Sequence, residues 1–436
     1  MAGDPHSGQA RSTDRRIALA REWDDLVERV RRLGPEFADF LAPPRLADLT
    51  PGVGEGTGVL INITAQRCDA LLVTGGGATP VPLPALALDE LQERTAAHLD
   101  RLRQVDEAAQ LLHHTQERAR VRPVAATFQA HHQAKLALGR AQAELDEKLP
   151  HDLAWLWKTV AGPVLGALRA DDPAAREDHR IWWCPSGLLS FLPLHAAGHH
   201  DGSGRSVLDR TVSSYTPTLR ALAHAARPPT APPRGPAGRP EKLLVVAVGE
   251  VPGQPPLPQT LAEVELLREI FGDDRLTVLA GREATRKAVL ERLADHRWAH
   301  FSCHGQQDVF DPSRGGLLLS DGTLTVGELS RGRYDGDFGF LSACMTASGG
   351  LGLSDEVITL GAGLHYAGFR HVLAALWSID ADTATELAER VFRSLMCEGR
   401  FRPELSATAA AEAVLRLRDR DPDRPSRWAA FTHTGP

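Results

Sequence analysis

From residue 241 onward, six short apolar runs alternate with amphipathic stretches: KLLVVAVG, LTVLAG, WAHFSC, FGFLSAC, HVLAALW and WAAFTHTG. Runs this continuous leave no polar face for solvent, so a sheet built from them must be covered on both sides. The segments between them, near 260–271, 284–294, 354–368, 381–397 and 405–417, carry apolar residues at helical spacing. This strand–helix repetition predicts an α/β fold: a mainly parallel sheet flanked by helices. In such sheets the reactive groups sit just beyond the carboxyl ends of the strands.

Upstream the pattern changes. RPPTAPPRGPAGRP, 227–240, is too rich in proline and glycine for regular structure and predicts a linker. It divides a C-terminal α/β domain, 241–436, from an N-terminal α/β region rich in helix, 17–226. In that region RIALAREWDDLVERVRRL has helical spacing, GVLINIT and DALLVT read as strands, and 86–169 reads as two or three packed helices broken at Gly162-Pro163. TGGGATP is a hairpin turn, because no helix start or Lys-Ser/Thr follows to make it a phosphate loop. Residues 1–16 are polar, which predicts a disordered lead-in without the apolar segment of a secretory signal.

Composition narrows the function classes. The chain has 436 residues, room for two or three domains, and a net charge of −7. With no basic stripe standing out, that charge speaks against nucleic-acid and membrane-surface roles. No apolar stretch approaches the roughly 18 residues that span a bilayer. Five cysteines, at 68, 184, 303, 344 and 397, show no paired spacing. Scattered thiols suit a reducing compartment, so the expected location is cytoplasmic.

Two strand ends carry chemistry. His304 and Cys344 each follow an apolar run and precede small residues: Gly305 after the histidine, Thr346, Ala347, Ser348, Gly349 and Gly350 after the cysteine. A thiol is mostly protonated at neutral pH and needs a base, for which imidazole is the usual partner. The N–H groups of Gly305 and Cys344 are candidates to face a developing oxyanion. Cys303, one residue before His304, points to the opposite face of its strand and belongs to the core. A zinc site from Cys303, His304 and Cys344 lacks a fourth ligand and a close ligand pair. Asp308, Asp355, Glu356, Asp380 and Asp382 follow strand ends that would rim the cleft.

The stretches CPSGLLSFLPLHAA, VSSYTPTLRAL, HFSCHGQQD, LLLSDGTLTVGEL, FGFLSACMTASGG, GAGLHYAGFRHVLAALWSIDADTA and PSRWAAFTHTG closely resemble, in order and spacing, the CHAT domain. That is a bacterial caspase-like cysteine peptidase family in the clan of caspases and separases. The resemblance spans 181–436, and GVLINITAQRCDALLVTGGG resembles the ordered region before the peptidase domain. It implies a caspase-like sheet, His304 as catalytic histidine and Cys344 as nucleophile. No cofactor is implied. A carboxylate could pair with a basic substrate side chain; Asp380 and Asp308 are the candidates, with Ser342 and Trp377 beside them at the strand ends. The implied enzyme is a regulated cysteine endopeptidase with a specific protein substrate. The implied setting is antiphage defence or cell death, with a gasdermin-like substrate and a sensor or activator supplied in trans. The region before 181 would be a regulatory or substrate-docking module. No tandem helical repeats precede it, unlike many members. The competing reading is a catalytically silent caspase-fold scaffold or signalling module.

Overall fold

The computed structural model describes residues 5–168, 179–227, 241–306, 312–342 and 359–436. Packing divides the chain into two units, Met1–Asp48 and Leu49–Pro436. The first is built on α1 (Pro5–Arg31), so the expected disordered lead-in is helical from Pro5 onward. Pro5 occupies a first-turn position, where its missing N–H is harmless. Only Gly8 weakens the run before Gly34-Pro35 ends it. Leu19, Trp23 and Leu26 are exposed along this helix, one helical repeat apart.

The second unit is organised by one sheet of eleven strands. Its strands and their neighbours are β1 (Thr57–Ile63), β2 (Cys68–Thr74), β3 (Gly77–Pro82), β4 (Arg180–Cys184), β5 (Val212–Tyr215), β6 (Leu243–Ala247), β7 (Leu276–Ala280) and β8 (Trp298–Ser302). There follow β9 (Gly305–Gln306), β10 (Gly316–Leu319), β11 (Gly322–Thr325), β12 (Phe338–Ser342), β13 (His371–Ala375), β14 (Met396–Cys397), β15 (Arg400–Phe401) and β16 (Phe431–Thr434). The sheet order is β3-β2-β1-β4-β5-β16-β13-β12-β8-β6-β7; β9–β11 and β14–β15 form small separate sheets. From β7 to β13 every pairing is parallel. The six apolar runs become β6, β7, β8, β12, β13 and β16, as expected.

The boundary expected at 227–240 does not divide this sheet; residues 228–240 themselves lie outside the described residues. The last strand, β16, lies antiparallel to β13 and parallel to β5, joining strands from both sides of the Pro-rich stretch. A pairing between residues as distant as Tyr215 and Thr434 leaves no trace in local composition. The TGGG turn is a hairpin, with Thr74 opposite Gly77. The prolines of TPVP fall in β3, at the sheet edge, where a missing N–H interrupts no ladder.

The helices that pack on the sheet include α2 (Leu88–Val121), α3 (Ala125–Leu156), α4 (Gln259–Phe271), α5 (Arg286–Asp295), α6 (Leu360–Tyr366), α7 (Ala381–Leu395) and α8 (Ser406–Arg420). α2 and α3 form a hairpin turned at Arg122–Val124. Gly162-Pro163 does not end the helical path, because a π-helical turn, Trp157–Ala161, carries it into Gly162–Ala167. One sheet face buries Trp298, Phe338 and Phe340 against Val264, Leu267 and Phe271 of α4 and Val391, Phe392 and Leu395 of α7. Phe392 is central there: Phe338 meets it edge-on at 5.6 Å and Phe340 stacks on it at 5.7 Å. The other face buries Ala299, Phe301 and Leu341 against residues of α5 and α6, including Val289, Leu293 and Leu364.

Between α6 and β13 the chain turns at Gly368, whose φ is +112°. A Cβ there would lie 1.9 Å from the Tyr334 carbonyl oxygen. Gly368→Ala combines backbone strain with a backbone clash, and is expected to cost on the order of 2 kcal/mol or more. The urea midpoint measures this; an unchanged midpoint would refute it.

Candidate active site

β8 is buried along its whole length, and its alternation separates neighbouring side chains at its carboxyl end. Cys303 enters the apolar cluster on the α5 side, as expected. His304 is half-buried, and its Nε2 lies 2.6 Å from the carbonyl oxygen of Pro255. Only a donor satisfies that oxygen, so Nε2 carries the hydrogen and Nδ1 is left as the basic nitrogen. Pro255 sits in the loop after β6, which is closed by the Leu257 N–H donating to the Gly249 carbonyl at 2.7 Å. Burial lowers the His304 pKa below the ordinary imidazole value; the Pro255 carbonyl opposes this, and nearby His113 adds to it. A neutral imidazole with Nδ1 as its basic nitrogen can accept a proton there.

The backbone at His304 is also fixed. Its carbonyl accepts from the Leu318 N–H at 2.9 Å, and Gly305 stands opposite Leu317 in the β9–β10 pairing. Antiparallel pairs alternate in bonding, so the Gly305 N–H turns away from β10 and stays out of that ladder.

On the neighbouring strand, Ser342 pairs in register with Ser302. The Ser342 hydroxyl donates to Glu263 Oε1 at 2.9 Å, and Glu263 Oε2 lies 2.8 Å from His300 Nε2. Glu263 and His300 are both fully buried. This acid from α4 therefore bonds side chains of β8 and β12, four residues before His304 on one and two before Cys344 on the other. Cys344 and Asp308 lie outside the described residues, as do Asp355 and Glu356.

Of the expected substrate contacts, the structure engages three elsewhere: Asp380, Trp377 and Ser342. Asp380 caps α7: it accepts from the Thr383 N–H at 3.0 Å and the Thr383 hydroxyl at 2.8 Å. Both its oxygens also accept from Arg427, at 3.0 and 3.2 Å. A carboxylate already bound to a guanidinium and a helix N-terminus has no lone pair to spare for a substrate cation. Trp377 is 2% exposed; its indole N–H donates to the Ser426 carbonyl at 2.8 Å, and its ring meets His98 edge-on at 5.4 Å. It is a core residue. Ser342 points inward to Glu263 rather than outward.

Sequence reasoning missed Pro255, Glu263 and the place of α2 beside the site. Glu263 stands in helical register with Leu267 and Phe271, both buried, so an acid on the apolar stripe of α4 was a readable signal. α2 crosses the carboxyl ends of the central strands. Its His98 packs on Trp377, its Asp106 bonds Ser378 beyond β13, and its His113 lies near His304 beyond β8. It forms one wall of the site.

The CHAT domain family model matches residues 151–436. The chain belongs to the CHAT domain family. The match starts within α3, so most of the α2–α3 hairpin precedes it. No curated protein sequence matches this CHAT chain. Among solved structures it is similar to the separase chain of the Saccharomyces cerevisiae separase–securin complex. The 2.6 Å structure gives a TM-score of 0.55 at 9% identity, over 89% of this chain and 31% of that one. The 3.0 Å structure gives 0.53 at 10% identity, over 89% and 30%. The CHAT chain thus spans under a third of the separase chain, and what the two share is a fold. That fold, a mostly parallel sheet flanked by helices, is caspase-like. Among the described residues no helix is long and apolar enough to cross a membrane.

Proposed function

We propose that this CHAT chain is a cysteine endopeptidase acting on a protein substrate, with Cys344 as nucleophile and His304 as its base. The observation that carries the reading is the state of His304 at the carboxyl end of β8. Its Nε2 is held by Pro255, which leaves Nδ1 as the basic nitrogen, and burial favours the neutral ring. The adjacent strand runs in register with β8 at Ser302 and Ser342 and leads, two residues on, to Cys344.

In this reading Nδ1 takes the thiol proton as the sulfur attacks the scissile carbonyl carbon. The new C–S bond leaves a tetrahedral oxyanion, which the Gly305 and Cys344 N–H groups stabilise. Collapse breaks the C–N bond, and the imidazolium returns its proton to the departing amine. Water, deprotonated by the same imidazole, then hydrolyses the thioester and restores the thiol.

A peptide-library digest tests this and reads side-chain preference at the same time. The wild-type chain is expected to cleave a subset of sequences. Cys344→Ala and His304→Ala are each expected to lose about a hundredfold or more of that activity. A small thiol-directed probe should label Cys344 in the wild type, and more slowly in His304→Ala. Equal labelling of both, or cleavage by Cys344→Ala at the wild-type rate, would leave a silent scaffold as the better description.

A further inference from the structure

The chain as a whole is acidic, but its charge is unevenly placed. Between Leu111 and Arg140, the turn end of the α2–α3 hairpin, Arg118, Arg120, Arg122, Lys135 and Arg140 face one acid, Glu117. The segment therefore carries +4 in a chain of −7. All five basic side chains are exposed. Arg120 reaches Glu117 only at 3.8 Å, and among the described residues the other four have no ion-pair partner. Apolar groups are exposed beside them: Val121 at 83% and Phe128 at 56%, with Leu111, Val124 and Leu136. A basic surface studded with uncovered aliphatic and aromatic groups is costly to leave in water, and marks a place where something binds.

We propose that this hairpin end is a docking surface for an acidic, apolar-anchored segment of the protein that the site cleaves. The occupant follows from charge and position. Carboxylates complement the unpaired guanidinium groups, while aliphatic and aromatic anchors match Val121, Val124 and Phe128. A nucleic acid would match the charge but gains little from valines and leucines, since stacking needs flat rings. The chain's own exposed helix, α1, is a poor occupant, because its stretch from Arg15 to Leu33 holds six arginines against four acids. Position ties the surface to the substrate. α2 passes from Trp377 and Ser378 to the neighbourhood of His304, then continues to the hairpin turn. From His113 to Val121 is roughly 12 Å along the helix, a span that a few extended residues cover. A substrate strand leaving the cleft along α2 would arrive at the basic end.

The assignment of the occupant as substrate rests on the peptidase reading, so the test has separate arms. Fluorescence anisotropy of the full chain uses three probes: a labelled peptide mixing Glu and Asp with Leu and Phe, the same peptide with Lys for the acids, and a single-stranded RNA. Expected is binding of the acidic peptide alone, weakened about tenfold or more by R118E/R120E/R122E and also weakened by Phe128→Ala. Next, the acidic segment is fused to the best-cleaved library peptide. KM should fall by about tenfold with kcat unchanged, and the gain should vanish in the triple variant. Labelling of Cys344 by the small thiol probe should be the same in that variant, which shows that it is folded. No peptide binding, binding indifferent to charge reversal, or tighter binding of RNA overturns the docking proposal. So does an unchanged KM for the fused substrate. Absent Cys344 labelling in the wild type overturns the peptidase reading instead, and the anisotropy arm still reads the surface.

Discussion

Acidifying this protein from pH 7.5 to pH 5 is expected to unfold it. Among the buried histidines, five are held furthest below the ordinary imidazole value: His98, His195, His365, His371 and His433. Burial pushes His98, His195 and His371 down to about 3 and His365 to about 4. His433 is driven well below its ordinary value by burial, then by neighbouring His371 and Arg180. The folded chain keeps all five neutral, whereas the unfolded chain protonates them as pH falls through about 6.5. Stability is therefore complete above that value and lost below it, by about 1.4 kcal/mol per pH unit for each group. At pH 5 each costs about 2 kcal/mol and the five together on the order of 10, comparable with the whole stability of a typical domain. Asp106, Asp152 and Asp337, whose pKa values burial raises, act in the opposite sense, but only as the pH enters the carboxylate range. Calorimetry should show Tm level between pH 8 and 7 and falling steeply below 6.5. His98 has no hydrogen-bond partner on either ring nitrogen among the described residues. His98→Phe should thus flatten the fall by about one fifth of its depth. A Tm that stays level to pH 5 would refute the argument.

The parts of this molecule that the sequence announces are those governed by local pattern. β6, β8, β12 and β13 are buried on both faces and so read as unbroken apolar runs. The opposed directions of Cys303 and His304 follow from strand alternation alone. The Asp380 cap is also local: Asp380 stands three residues before Thr383 at a helix start, an ordinary N-cap spacing, although its place after a strand end equally suits a substrate contact. What stayed hidden depends on long-range placement. Pro255 is 49 residues from the histidine it orients, and Arg427 is 47 from the aspartate it occupies. The hairpin's charge was present in the sequence but diluted by averaging over an acidic chain. Only the turn at Arg122–Val124 gathers Arg118 and Lys135 at one end.

The second large effect concerns Glu263. Its two oxygens serve Ser342 at 2.9 Å and His300 at 2.8 Å, with both Glu263 and His300 fully buried. His300 Nδ1 has no partner among the described residues, so its ring relies on the Glu263 bond alone. Glu263→Ala would leave an imidazole and a hydroxyl without an acceptor inside the core, and removing one member of such a pair typically costs about 3–5 kcal/mol. Glu263→Gln keeps one acceptor oxygen and should cost less, about 1–3 kcal/mol. Glu263→Leu combined with His300→Leu removes the need as well as the bond, and should recover most of the loss. Urea midpoints rank the three; Glu263→Ala within 1 kcal/mol of the parent would refute the pairing argument. The placement adds a functional consequence. Its partners stand four residues before His304 and two before Cys344 on the strands that carry the proposed dyad, so loosening them should slow thiol labelling at Cys344. Gly368→Ala, which acts between α6 and β13, should slow it less for the same loss of stability. Equal slowing at matched stability would mean that Glu263 supports the core without positioning the strand ends.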